Sequence, residues 1–342
     1  MSKAYSKPTI ADVAAAANVS VPTVSRVLNE RYGVAPATAA RVREVIKNLG
    51  YESNLAARSM RSSQTSVIGL IVPDMDHSYA IEVIKGVSRA VTGTEYDLIA
   101  MTTGRKDWQE QGRWEQQQVR RVNGSIVDGI ILVAPSADGF RSDYPLVAVD
   151  PYRHSDALPA VIAANREGAL SAMRYLMDLG HRRIGHVRGL PYLQSTERRQ
   201  QGYEDALGGL DIALDMDLIV ECDFTRAGGL AAGRRLLNLP APPTAIFAAN
   251  DDSAFGVMDA ARELGMVIPR DLSVIGFDNV PDSITSDPAL TTVDQAIKVM
   301  GEAAAKMLIQ LMEGEPSSAQ LVKIPTQLVI RDSCCRAAER GN

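Results

Sequence analysis

At 342 residues with 46% apolar composition the chain can bury two or three separate cores, which excludes a single small module and implies several domains. Its formal charge of −5 is uneven: residues 1–61 hold nine Lys/Arg against four Asp/Glu and the remainder 27 against 37, so a basic head that attracts phosphate sits on an acidic body. Cys222, Cys334 and Cys335 lack metal spacing and are too few for a disulfide framework, and neither a secretory signal nor a membrane-length apolar run is present. A soluble protein of the reducing cytoplasm, with no metal, cofactor or membrane partner, is expected.

From residue 9 the chain reads as two short helices joined by a tight turn. Ile10, Val13, Ala14 and Ala17 recur at helical spacing, and Thr9 and Asp12 are spaced as a capping pair at the start. Asn18 tolerates the left-handed backbone that a sharp turn requires, and Val19 tucks into the angle. Ser20 is placed to cap a second helix with Pro22 in its first turn, where no backbone donor is missed, and Val24, Val27 and Leu28 turned inward. Val21, Pro22, Ser25, Arg26 and Asn29 are left outward. That arrangement suits a major-groove reader: Arg26 can fork onto guanine O6 and N7, Val21 and Pro22 can touch thymine methyls, and Ser20, Thr23, Ser25 and Asn29 suit phosphate oxygens. An ordinary helical hairpin is the alternative that these residues alone leave open.

Pro36 opens a third predicted helix with Val42, Val45, Ile46 and Leu49 as its inward stripe, and Gly50 stops it. Residues 1–52 then form an all-α helix-turn-helix head, and 53–66 a hinge whose short helical stretch is marginal without a partner. From 67 the pattern changes to short apolar runs alternating with helical stretches, which implies parallel sheets with crossover helices. Strands are expected at 67–72, 97–101, 129–134 and 146–149, then at 184–187, 218–220, 245–248, 273–276 and 328–330. Helices are expected notably at 166–179, 226–239, 252–264 and 295–312, giving an α/β body of two doubly wound parallel-sheet lobes over 67–332 and a tail at 333–342. Polar residues fall just past strand ends: Asp74, His77, Asp150, Asn250, Asp251, Asp278 and Asn279. Open α/β sheets bind ligands at that edge, and carboxylates with amides and an Arg suit a molecule dense in hydroxyls. Any one of these carboxylates taken alone serves equally well as a helix cap.

With these parts in order, the chain resembles the lactose-repressor and galactose-repressor family of bacterial transcription regulators across residues 8–332. The motifs that carry the resemblance are Thr9-Ile-Ala-Asp-Val-Ala, Val19-Ser-Val-Pro-Thr-Val-Ser-Arg-Val-Leu-Asn29, Leu49-Gly-Tyr51, Ile68-Gly-Leu-Ile-Val-Pro-Asp74, Leu179-Gly-His-Arg-Arg-Ile-Gly185, Ala249-Asn-Asp251 and Val274-Ile-Gly-Phe-Asp278. It implies a periplasmic-binding-protein-like body with crossings near 162, 294 and 324, hence an N-lobe of about 67–162 plus 295–323 and a C-lobe of about 163–294 plus 324–332. It also implies DNA contacts at Ser20, Val21, Pro22, Thr23, Ser25, Arg26 and Asn29, with Asn54, Ala57 and Met60 in the hinge. Effector contacts implied by position are His77, Tyr79, Asp150, Arg199, Phe224, Asn250, Asp278 and Gln295. Phe224 would stack on the ligand, although core packing fits it equally.

The chain departs from the family pattern at Ser53, which replaces the proline before the hinge Asn, and at Ala35, which removes a hydroxyl cap worth about 1 kcal/mol. Met60 stands at the usual leucine wedge, and His77-Ser-Tyr-Ala80 replaces the usual Asn-Pro-Phe-Phe run, which leaves the ligand's identity open. The expected function is a cytoplasmic repressor of carbohydrate-utilisation genes, a homodimer on a palindromic double-stranded operator, released by a sugar effector. The alternative is a co-repressor-dependent regulator that binds a nucleobase or other metabolite. An exported sugar-binding protein would have no use for the basic head. A glycosidase would need two carboxylates flanking one bond, as Asp150 and Asp278 could be imagined to do. The chain carries no P-loop, zinc-type His pair, Gly-x-Gly-x-x-Gly fingerprint or Ser elbow, and no enzyme activity or catalytic residue is expected. No leucine heptad follows Asp332 to suggest a tetramer.

Overall fold

The computed structural model describes residues 8–28, 33–51, 64–102, 104, 108–153, 158–191, 193–315 and 320–337. Two compact units divide the chain, residues 1–65 and 66–342. Asn29, Asn54, Ala57 and Met60 lie outside the described residues.

In the first unit, α1 (Ile10–Ala16) opens on a closed capping box: the Asp12 N–H donates to Thr9 Oγ1 at 3.3 Å and the Thr9 N–H to the Asp12 carboxylate at 2.7 Å. Asn18 makes the turn in left-handed backbone, φ 51°. The Ser20 carbonyl accepts the Thr23 and Val24 N–H groups at the start of α2 (Val21–Leu28), while its hydroxyl meets that of Thr23 at 2.9 Å. α3 (Pro36–Leu49) begins on Ala35 with no side-chain cap and ends on left-handed Gly50. Val13, Ala14, Ala17, Val24, Val27 and Val42 form the small shared core, with Val45 and Ile46 packed at its edge. Leu49 does not belong to the inward stripe. It lies in the last turn of α3, outside the head's apolar cluster, and is 39% exposed.

The second unit holds two six-stranded sheets. The first has the order β11-β5-β4-β3-β1-β2, all parallel, from β1 (Val67–Val72), β2 (Asp97–Thr102), β3 (Gly129–Val133), β4 (Leu146–Val149), β5 (Ala160–Ala163) and β11 (Leu321–Ile324). α4 (Ser78–Val91) and α11 (Ile297–Met312) cover one face through Val83, Val87, Met300, Ala304 and Leu308; α5 (Trp108–Val122) brings Val119 and Val122 to the other. α4 and α11 touch backbone to backbone, since a Cβ on Gly86 would collide with the Lys298 carbonyl.

The second sheet has the order β12-β10-β9-β8-β6-β7, from β6 (Ile184–Arg188), β7 (Ile219–Glu221), β8 (Ala245–Ala248), β9 (Ser273–Asp278), β10 (Thr291–Asp294) and β12 (Gln327–Val329). Only β12 runs antiparallel to its neighbour. α6 (Asn165–Asp178) and α7 (Gln194–Gly208) pack on one face, and α8 (Arg226–Leu237) and α9 (Asp251–Glu263) on the other. The short α10 (Asp282–Thr285) follows β9. The inner strands β1, β3, β4 and β8 are buried along their whole length, as helices on both faces require.

The apolar runs locate nine strands but not β5, β10 or β11. These are four-residue strands, two of which carry the polar residues Thr291, Thr292 and Lys323 and are strands because of the neighbour they pair with. Ile330, placed in the last strand on apolarity, lies past the end of β12 and is 58% exposed. The chain passes between the sheets three times: after β5, after β10 and after β11. Among the described residues no helix is long and apolar enough to cross a membrane.

Candidate effector cleft and nucleic-acid interface

Of the side chains expected to contact DNA, the described ones are Ser20, just before α2, and Val21, Pro22, Thr23, Ser25 and Arg26 along it. Ser20, Pro22 and Arg26 are exposed, whereas Val21, Thr23 and Ser25 are half-buried and Val21 also packs on the head's core. Val24 and Val27 anchor the opposite face, so hydroxyl, apolar and guanidinium side chains share the outer one, the kind of row a major groove can accept.

In the second unit the candidate effector residues cluster at the carboxyl ends of the strands, and Arg199 is the member that touches most of the others. It comes from the second turn of α7 and is 3% exposed. Its Nε donates to Asn165 Oδ1 at 2.9 Å, Nη1 donates to the Ala249 carbonyl, and Nη2 reaches Gln295 Oε1 at 3.4 Å. The guanidinium lies 3.8 Å from the centre of the Phe277 ring and its Nη1 is 3.8 Å from Asp278 Oδ1. Gln295, wholly buried just past β10, donates in turn to Asp278.

Asp278 ends β9 with φ 118° and is 5% exposed; burial pushes its carboxyl well above the usual carboxylate range against the pull of Arg199. Across the cleft Asp150, past the end of β4 with φ 50°, is also pushed up by burial, opposed by Arg199 and by a hydrogen bond from the Ser195 hydroxyl. Tyr79, in the first turn of α4, has a buried hydroxyl with no hydrogen-bond partner, and it feels the charges of Asp150, Asp278 and Arg199. His77 precedes α4, and its Nδ1 lies 3.9 Å from Asp252 Oδ2 at the start of α9, so this pair ties one sheet's helices to the other's. The nearby Asp252 carboxylate raises the His77 pKa above its ordinary value.

Two candidates stand differently. Asn250 caps α9: its Oδ1 accepts the Ser253 N–H at 3.0 Å and its Nδ2 donates to the Phe224 carbonyl at 2.9 Å, so both ends of the amide are engaged. Phe224 itself is half-buried, with φ 64°, and its ring lies where any Cβ on Gly189 would fall.

Sequence reasoning passed over Asn165, Ser195 and Asp252. Ser195 and Arg199 are one helical turn apart on a helix that opens six residues past the end of a strand, which is a readable signal. Asn165 follows β5, a strand the apolar pattern does not show.

Asp251 is structural. Wholly buried, it accepts the Thr292 hydroxyl at 2.5 Å and the Val280 N–H at 2.9 Å, and burial lifts its pKa from 3.8 to about 7. The folded state therefore binds the extra proton between about pH 4 and 7. The stability this group contributes is complete below that window and is lost as pH rises through it. In Asp251→Asn the amide oxygen can accept the Val280 N–H while the amide nitrogen donates to the Thr292 hydroxyl, all without a charge, so its melting temperature should gain on the parent's progressively from pH 5 to pH 8. A constant difference across that range would remove Asp251 as the source.

The model described as "Bacterial regulatory proteins, lacI family" matches residues 9–54, and that described as "Periplasmic binding protein-like domain" matches residues 173–334. Catabolite control protein A of Priestia megaterium is 32% identical over 332 residues, covering 95% of this chain and 98% of its own. The HTH-type transcriptional repressor PurR of Pectobacterium atrosepticum is 33% identical over 329 residues, covering 95% of this chain and 96% of its own. Among solved structures, the lac repressor dimer bound to operator and the anti-inducer ONPF superimposes with a TM-score of 0.84 at 25% identity, over 96% of this chain and 100% of that one. The transcriptional regulator CelR–cellobiose complex does so with a TM-score of 0.70 at 28% identity, over 95% of this chain and 99% of that one. The head, the two-sheet body and relatives alike along nearly their whole length agree: the chain belongs to the lacI family of bacterial regulatory proteins and is a DNA-binding transcriptional regulator.

Proposed function

We propose that this regulator represses transcription as a homodimer on a palindromic operator, and that a small hydroxyl-dense effector, a sugar, held between the two sheets controls that binding. The observation that carries the effector reading is Arg199, buried yet tied to Asp278, Gln295 and Asn165 at the strand ends, with Asp150 and Tyr79 opposite. Neighbouring oxygens of a sugar can accept from the guanidinium donors that remain while its hydroxyls donate to the carboxylates, and burial between lobes strengthens both kinds of bond. Support from likeness is that the lac repressor relative is a dimer on operator DNA and that other relatives hold cellobiose and ribose. One head of three short helices offers few base contacts, and two-fold pairing doubles them.

In this reading control passes along residues 53–66, the stretch of chain between the head and the body's first strand. The test is to select operator sequences from random DNA with the purified protein, then titrate the selected duplex with and without each member of a panel of sugars and nucleobases. A palindromic selected site whose affinity changes more than about tenfold with a sugar is the expected result. Response to a nucleobase alone would replace the sugar reading, and a selected site without two-fold symmetry would remove the dimer.

A further inference from the structure

The charge inside the cleft restricts the effector further than its hydroxyl-binding character does. The charges of Asp150 and Asp278 both act on the Tyr79 hydroxyl, and the cation that acts on all three is Arg199. Three donors of that guanidinium are already spent on Asn165, Ala249 and Gln295, none of which bears a charge, and Asp278 lies within 3.8 Å. Asp251 and Asp252 add to the negative field on Asp278, while His77 is engaged with Asp252. An arriving phosphate or carboxylate would bring its charge into a space where burial already disfavours the ionised form of two carboxyl groups, and the cations beside it are engaged, Arg199 with its neutral partners and His77 with Asp252. A neutral polyol meets acceptors for its hydroxyl hydrogens instead.

The Tyr79 hydroxyl supplies the complementary feature. It is buried without a partner, a condition that costs free energy unless a ligand atom completes it. Burial and the two carboxylates hold its pKa well above that of an ordinary phenol, so it keeps its proton and is available as a donor.

We infer that the cleft takes an uncharged polyol and rejects the phosphate-ester and carboxylate forms of the same molecule, and that Tyr79 is a specificity-determining residue donating one hydrogen bond to a ligand oxygen. This rests on the cleft being the effector site of the preceding reading.

Calorimetry on the full-length protein tests it, using neutral mono- and disaccharides beside their phosphate esters and uronic acids. The neutral sugar that binds best should lose at least about 30-fold in affinity when phosphorylated or oxidised, and Asp150→Asn should narrow that gap to less than about tenfold. Tyr79→Phe, which keeps the ring, should weaken the parent sugar about tenfold and leave unchanged one of its monodeoxy analogues, the one lacking the oxygen that Tyr79 meets. An unchanged melting temperature separates this loss from misfolding. Anionic forms that bind as tightly as neutral ones, or a Tyr79→Phe variant with parental affinities throughout, overturn the inference while leaving the sugar reading standing. No binding by any sugar, neutral or charged, removes both.

Discussion

Alanine at position 26 is expected to strip this regulator of most of its sequence preference while leaving its attraction to DNA in general nearly intact. Arg26 is exposed on α2, and the head's core is built from Val13, Ala14, Ala17, Val24, Val27 and Val42, so the substitution removes no packing. A guanidinium forked onto one guanine is worth about 1–3 kcal/mol of discrimination, and a two-fold dimer loses it at both half-sites. Specific affinity should then fall by about 2–6 kcal/mol, roughly 30-fold to 20,000-fold, under conditions where binding to random duplex drops no more than about threefold. Paired titrations of operator and random DNA at one salt concentration make the comparison. Equal losses on both would show that Arg26 touches phosphate and that bases are read elsewhere.

The second large effect belongs to the cleft. Asp278→Asn should fold, bind the operator as the parent does, and no longer respond to the effector. Asparagine is chosen because Asp278 has φ 118°, a conformation that Asn tolerates far better than Ala. Neutralising a buried carboxylate that desolvation already disfavours relieves strain on the fold, and Arg199 keeps its bonds to Asn165, Ala249 and Gln295. The ligand, in contrast, loses the carboxyl acceptor whose ionised form its hydroxyl donors would favour, about 1.5–3 kcal/mol or roughly 10–150-fold in affinity. Calorimetry with the effector, next to operator titrations, separates the two functions. Parental ligand affinity in this variant would mean that the effector binds away from Asp278.

The helix-turn-helix was legible because each of its signals acts within a few residues. The Thr9–Asp12 capping box and the left-handed Asn18 are settled by neighbours in the chain, and the structure has both. The inner strands were legible for a related reason: a strand covered on both faces has to be apolar throughout, as 67–72, 146–149 and 245–248 are. β5, β10 and β11 were not. Residues such as Thr291, Thr292 and Lys323 read as strand only when a neighbouring strand supplies the pairing, and that neighbour is distant in sequence for β11 against β5.

In the cleft the division is finer. Position past a strand end marked Asp150, Asn250 and Asp278, and motif position marked Arg199, but their chemistry depends on partners brought in by the fold. Asn250 and Asp251 are adjacent and equally polar. One amide spans Ser253 and Phe224 at both ends, and one carboxylate is locked to Thr292 and Val280 with its pKa raised to about 7. Asn165, 34 residues from Arg199, fixes the guanidinium.

The sequence by itself determined the order of the domains, the face of α2 turned outward and the strand ends on which a ligand site could form, because periodicity, caps and apolar runs are local. Only the tertiary structure decided which polar residues meet and which serve as caps, that His77 joins Asp252, and that the Tyr79 hydroxyl is buried without a partner. Those outcomes follow from desolvation and from contacts between segments far apart in the chain, and no local pattern records either.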